Sequence, residues 1–125
     1  MSDARNSDSA AIEALAYAPI HTLAAQLKNG ALSASALLDS YLQRIRRHDE
    51  KLHAFVAVYA NEARAAAELA DRALRASQRL GPLHGIPIAL KDLLDIEGRV
   101  TTGGSLFWRE RVSPVTASVA QRLTA

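Results

Sequence analysis

The 125-residue chain contains no cysteine, which excludes a disulfide framework, a thiolate metal site and a cysteine nucleophile. That lack fits a reducing compartment, and the cytoplasm is the expected location. Nowhere does an apolar run approach the roughly 20 residues needed to span a bilayer, so no membrane partner is expected. The opening stretch Met1–Ala11 mixes small, polar and charged residues and lacks the basic start and apolar core of a secretory signal. Charge of one sign is also missing. Fifteen basic against thirteen acidic residues leave a net charge of +2, too small a field to imply direct nucleic-acid binding. The four histidines, His21, His48, His53 and His84, show no paired spacing for a metal, and Gly98 and Gly103-Gly104 are not followed by the Gly-Lys-Ser/Thr of a phosphate cradle. No metal is expected.

What is present is ordinary globular material. Residues are 49% hydrophobic and 22% charged, a balance that supports a packed core. A short helix is expected from Thr22, as N-cap, through Leu23, Ala24 and Leu27 to a stop at Gly30. From Ser33 the apolar positions Ala34, Leu37, Leu38, Tyr41, Leu42 and Ile45 recur in steps of three and four, the clearest helical pattern in the chain. Asn61 to Leu80 carries a stripe of small residues, Ala63, Ala66, Ala67, Ala70, Ala73 and Leu74, with Glu68, Asp71, Arg72, Arg75 and Arg79 assigned to the opposite face. Glu68 with Arg72 and Asp71 with Arg75 have the spacing of helical ion pairs. Gly81-Pro82 is expected to end that helix. Thr116 is placed to cap a last helix through Val119, Ala120 and Leu123.

Two segments read as strands, the first as a short strand or an extended entry, with a helix not excluded by its periodicity. Ala54-Phe55-Val56-Ala57-Val58-Tyr59 is short, β-branched and aromatic. Ile86-Pro87-Ile88-Ala89-Leu90-Lys91 is apolar on both of its alternating faces, as in a strand covered on two sides; the bland alternative is a compact helical domain in which residues 85–91 merely cross the surface. Two strands are fewer than an independently stable sheet generally uses, and the final helical pattern reaches Ala125 without a stop signal. The apolar stripes Ala63, Ala66, Ala70 and Leu37, Leu38, Leu42 exceed what two strands can cover, so association or molten behaviour is expected, a homo-oligomer being one form of the association.

Lys91 is the residue with the most chemical promise. It follows an apolar run directly and precedes Asp92. A buried amine loses its charged form more easily and becomes a usable general base. The bland reading of the same position is a lysine that ends a strand and reaches solvent or a neighbouring carboxylate.

The segment Gly81-Pro82-Leu83-His84-Gly85-Ile86-Pro87-Ile88-Ala89-Leu90-Lys91-Asp92 resembles the amidase signature family, whose members have Gly-Pro-Leu-x-Gly-Ile/Val-Pro running into an apolar strand and Lys-Asp. The likeness extends in order through Gly30 and Ser33, Arg44-Ile45, Ala54-Phe55-Val56, Ala70-Asp71 and Thr101-Thr102-x-Gly104-Ser105, covering nearly everything from Ile20 onward. It implies an α/β chain forming the N-terminal part of a layered α/β/α amidase-type fold, mainly helices plus about two strands here. Residues 1–19 are then a flexible N-terminal tail, and residues 20–125 belong to an amidase domain truncated at its C-terminus.

The resemblance further implies a catalytic set of a nucleophilic serine, a bridging serine and one lysine, matched here by Lys91. The implied substrate is a small-molecule amide, attacked through an acyl-enzyme. The glycine- and serine-rich segment carrying both serines lies beyond Ala125, so the isolated chain is expected to be inactive. Ser105, after Gly103-Gly104, belongs to a different motif and is expected to shape a loop. Two other functions are open at this point: a partner-binding module in which Lys91 has no chemistry, and the glutamine-amidase component of a tRNA-dependent amidotransferase.

Overall fold

A computed structural model describes residues 14–76, 78 and 81–124. They divide into two compact units, one running to Pro87 and the other from Ile88. Residues 1–13 of the expected tail lie outside the described residues. Of the rest of that stretch, residues 14–17 are helical, and Leu15 and Ala18 pack against the core.

The first unit is built on three helices: α1, Ile20–Lys28; α2, Ala34–Leu52; and α3, Ala60–Arg75. Helix α1 begins after Pro19 rather than at Thr22, whose amide donates to the Pro19 carbonyl at 2.9 Å. Proline, with its fixed φ and no N–H, starts the helix earlier than the threonine signal suggests. Gly30 stops it with φ of 75°, its amide donating to the Leu27 carbonyl at 3.2 Å. Helix α2 starts where the sequence places it: Ser33 is extended, and its hydroxyl accepts from the Ala36 amide at 3.0 Å. It ends at His53, in the left-handed conformation at φ 47°. Asp49 supports that turn by accepting from the amides of Ala54 and Phe55 at 2.8 and 3.2 Å.

Leu23 and Leu27 of α1, Ala34, Leu37, Leu38 and Leu42 of α2, and Ala67 of α3 form one buried cluster. The stripes thus bury one another, and it is helices that cover the leucines. The small-residue stripe is rotated from its expected position: Ala60, Ala63, Ala67, Ala70 and Leu74 face the core while Ala66 is exposed. The i, i+3, i+4, i+7 progression selects Ala67 over Ala66, because only one of two adjacent helical positions faces a partner.

Asp71 is the largest departure on this face. The charge pattern assigns it to the wet side, yet it is buried at 7% exposure and turns its carboxylate onto the start of α2. Helix α3 ends at Arg75, before Gly81-Pro82, with the Ala76 amide donating to the carbonyls of Arg72 and Leu74. Residues 77, 79 and 80 of the expected helix lie outside the described residues.

Neither candidate forms a strand; residues 54–59 take the other form expected of them, an unpaired, non-helical entry to α3. Residues 54–59 and 86–91 have no ladder partner, and among the described residues β pairing is limited to one antiparallel bridge between Val100 and Val112. An extended segment becomes a strand only by exchanging backbone hydrogen bonds with a neighbour, and a β-prone composition cannot supply one. Val56 at 77% exposure shows how open such a segment is. The described chain is therefore mostly helical, and the expected layers are not formed within it. None of its helices is long and apolar enough to cross a membrane.

The second unit is a folded loop. Around the Val100–Val112 bridge, the Gly98 amide donates to the Ser113 carbonyl and the Ser113 amide to the Arg99 carbonyl, both at 2.9 Å. Asp95 and Arg111 are joined by two parallel hydrogen bonds of 2.8 and 3.0 Å. A 3-10 turn, Leu106–Trp108, and a short helix α4, Ser118–Thr124, complete the unit. Thr116 does not end as the expected cap: its hydroxyl accepts from the Glu97 amide at 3.0 Å and ties the approach to α4 to the Glu97 turn.

Candidate active site

Within the first unit, Gly81–Pro87 is fixed where α2 and α3 meet. At the N-terminus of α2, the Asp71 carboxylate accepts from the Ala34 amide at 2.6 Å, the Ser35 amide at 3.2 Å and the Ser35 hydroxyl at 2.6 Å. The two amides have no partner within α2, and a carboxylate there also meets the positive end of the helix dipole. Burial acts most strongly on this carboxyl and by itself would raise its pKa. The Ser35 hydroxyl, the two amides and the Arg75 charge together outweigh it and leave the pKa below its ordinary value.

The same Ala34 sets the approach of Gly85. A methyl group built on Gly85 would come within 3.1 Å of the Ala34 side chain, and Gly85 has φ of 76°. Both facts call for glycine, one through space and the other through backbone. The turn before it is closed by His84 N–H to Gly81 O at 3.2 Å and Ile86 N–H to Leu83 O at 3.0 Å. The His84 ring nitrogen Nε2 lies 3.0 Å from the Ala70 carbonyl, so this histidine fastens the turn to α3. The motif residues Gly81 to Ile86 are thus a clasp on the α2–α3 pair.

Lys91 lies in the second unit and is exposed. The apolar run before it does not keep water away, since Ile88 is itself 41% exposed. Its backbone is well engaged: the Lys91 carbonyl accepts from the amides of Leu93 and Leu94 at 2.7 and 3.0 Å. Asp92 does not turn back to the lysine. Its carboxylate accepts from the Thr102 amide at 2.9 Å and from the Thr102 hydroxyl, and its carbonyl accepts from the Gly103 amide at 2.8 Å. The Thr102 hydroxyl, followed by the Thr102 amide, holds the Asp92 carboxyl below its ordinary pKa, with the Lys91 charge a smaller contributor.

Ser105 donates its amide to the Thr102 carbonyl at 3.0 Å, and its hydroxyl accepts from the Phe107 amide at 3.3 Å. That is a turn-shaping role, and no base lies among these partners. Among the described residues, no group of three histidine, aspartate or glutamate side chains could hold a metal ion.

The structure therefore brings Lys91-Asp92 together with Thr102-Gly103-Gly104, two motifs that stand apart in the sequence. The pairing of Asp92 with Thr102 is not legible there, because it spans a loop whose path no local periodicity reports.

The amidase family model matches residues 36–125, and the chain belongs to the amidase signature family. It is 43% identical over 100 residues to the A subunit of the glutamyl-tRNA(Gln) amidotransferase of Protochlamydia amoebophila, a match covering 80% of this chain and 20% of that protein. Over 91 residues it is 52% identical to the Mycobacterium bovis protein named "Putative amidase AmiB2", covering 73% of this chain and 20% of the relative. The corresponding amidotransferase protein of Streptomyces coelicolor is 40% identical over 103 residues, 82% of this chain and 21% of the relative. The chain thus spans about a fifth of the length of the curated relatives it matches.

Proposed function

We propose that the chain supplies the lysine-bearing part of an amide hydrolase working through an acyl-enzyme, with Lys91 as the general base. The supporting observation is the family match across residues 36–125; the Gly81–Asp92 motif falls within those residues, and the resemblance of that motif is what assigns Lys91 the part of the family's lysine. In this reading the neutral Lys91 amine takes a proton from a bridging serine as that serine takes one from the nucleophilic serine. The nucleophile's oxygen adds to the amide carbonyl, the C–N bond breaks, and the departing amine receives the proton from Lys91. Water then repeats the sequence on the ester and frees the acid. In this reading the two serines, and the cover that would desolvate the exposed amine, come from parts of the enzyme other than these residues. No metal or organic cofactor takes part, the substrate is a small-molecule amide, and the enzyme is cytoplasmic and does not bind nucleic acid directly.

A second reading is the glutamine-hydrolysing component of a tRNA-dependent amidotransferase, favoured by the names of the Protochlamydia and Streptomyces relatives. Glutamine against a panel of other carboxamides separates the two. The 125-residue chain alone should release no ammonia from any of them, and turnover abolished by Ser105→Ala would overturn the assignment. In an amide-hydrolysing enzyme carrying these residues, Lys91→Arg retains the positive charge but offers no neutral amine. It should fold and lose several orders of magnitude in kcat. Retention of most of kcat would leave Lys91 structural and favour a partner-binding role for the segment.

A further inference from the structure

The lysine's backbone is held on its C-terminal side by a directional chain of hydrogen bonds. The Gly104 amide donates to the Thr102 hydroxyl oxygen at 3.0 Å, and that hydroxyl donates its proton to the Asp92 carboxylate. The Thr102 amide reaches the other carboxylate oxygen at 2.9 Å, so both oxygens of Asp92 are committed to one residue across the loop. The Asp92 carbonyl receives the Gly103 amide at 2.8 Å. Gly103 and Gly104, with φ of 59° and 76°, turn the loop back so that both amides point inward, a conformation that costs little only for glycine.

An aspartate beside a lysine can pair with it or with groups elsewhere. Here the carboxylate is used elsewhere. We propose that Asp92 is a positioning residue for Lys91: it fastens the backbone that carries the amine onto the Thr102–Gly104 loop while leaving the amine without a salt bridge to it. This rests on the reading of Lys91 as base. Thr102 is the other half of the clamp, and its hydroxyl is needed because it both donates to Asp92 and accepts from Gly104.

The experiment has two arms. In the 125-residue chain, amide hydrogen exchange is measured at Thr102 for the parent, Asp92→Ala, Thr102→Val and Thr102→Ser. Asp92→Ala should speed exchange at Thr102 by at least about tenfold while far-UV helicity is kept, because the acceptor of that amide is gone. In an amide-hydrolysing enzyme carrying these residues, Asp92→Ala should lower kcat about 100-fold with KM within about twofold, the size expected when a catalytic group is displaced by about 1 Å. Thr102→Val should follow it, and Thr102→Ser, which restores the hydroxyl, should recover most of the loss. The acid limb of the pH–rate profile should stay in place.

Unchanged exchange at Thr102 in Asp92→Ala would overturn the proposal. So would full kcat in Asp92→Ala beside a dead Lys91→Arg, which would leave the base assignment standing. A displaced acid limb with an unchanged plateau would make Asp92 a charge partner instead. Full kcat in Lys91→Arg would sink both readings together.

Discussion

The two units are held together by different physics. The helical unit, ending at Pro87, has its stability in apolar burial: Leu37 has no exposed surface, and Leu23 and Leu27 have almost none. The unit from Ile88 onward buries little. Leu106 and Phe107 are 84% and 83% exposed, and its order comes from paired polar groups, with Asp95–Arg111 and Asp92–Thr102 as the two anchors. Hydrogen-bonded loops open more readily than buried helices because water replaces their bonds at small net cost. The lysine assigned the chemistry is carried on the more easily opened of the two.

The most severe way to break this contrast is to hollow the helical core. Leu37→Ala should cost about 2 to 5 kcal/mol, since a fully buried leucine leaves a cavity its neighbours cannot fill. Far-UV circular dichroism follows the helices, and Trp108, the single tryptophan, follows the second unit by fluorescence. In denaturant the two signals of the parent should fail to coincide, and Leu37→Ala should move the helical transition. Coincident transitions would mean that the units unfold as one.

Gly85→Ala comes next, at about 2 to 4 kcal/mol, combining a left-handed backbone with the 3.1 Å approach to Ala34. A helical midpoint unchanged within error would show that this clasp is not built as described. Asp71→Asn acts through pH. The folded-state pKa of Asp71 is depressed, so its contribution is present above the ordinary carboxylate range and lost as pH falls through the lower folded value. The variant should be less stable than the parent at neutral pH, and the gap should narrow in acid. A gap independent of pH would contradict the charged cap. The smallest effect is expected at the exposed Asp39–Arg64 pair, 3.3 Å apart. Asp39→Ala should change stability by less than about 0.5 kcal/mol, as measured by the same helical midpoint.

Legibility follows the same division. The helical unit repeats a 3.6-residue period, so α2 and its Ser33 cap can be read position by position. The strands cannot, because Ala54–Tyr59 and Ile86–Lys91 carry β-prone residues but their pairing depends on chain that local composition does not describe. Asp71 defeats the pattern for a related reason: a carboxylate normally marks the wet face of a helix, and here the unsatisfied amides of another helix reverse that rule. Lys91 is visible as a motif. Its clamp is not, since Asp92 and Thr102 meet across a ten-residue loop that no local period describes.

Ala34 carries a consequence for how the sequence can change. Its amide is fixed by a carboxylate from one helix, and its methyl is the wall against which Gly85 closes. Positions 34 and 85 therefore share one allotment of volume: a side chain can grow at either only if the other gives way, and glycine at 85 has nothing left to give. Substitutions at one position are therefore expected not to add simply to substitutions at the other.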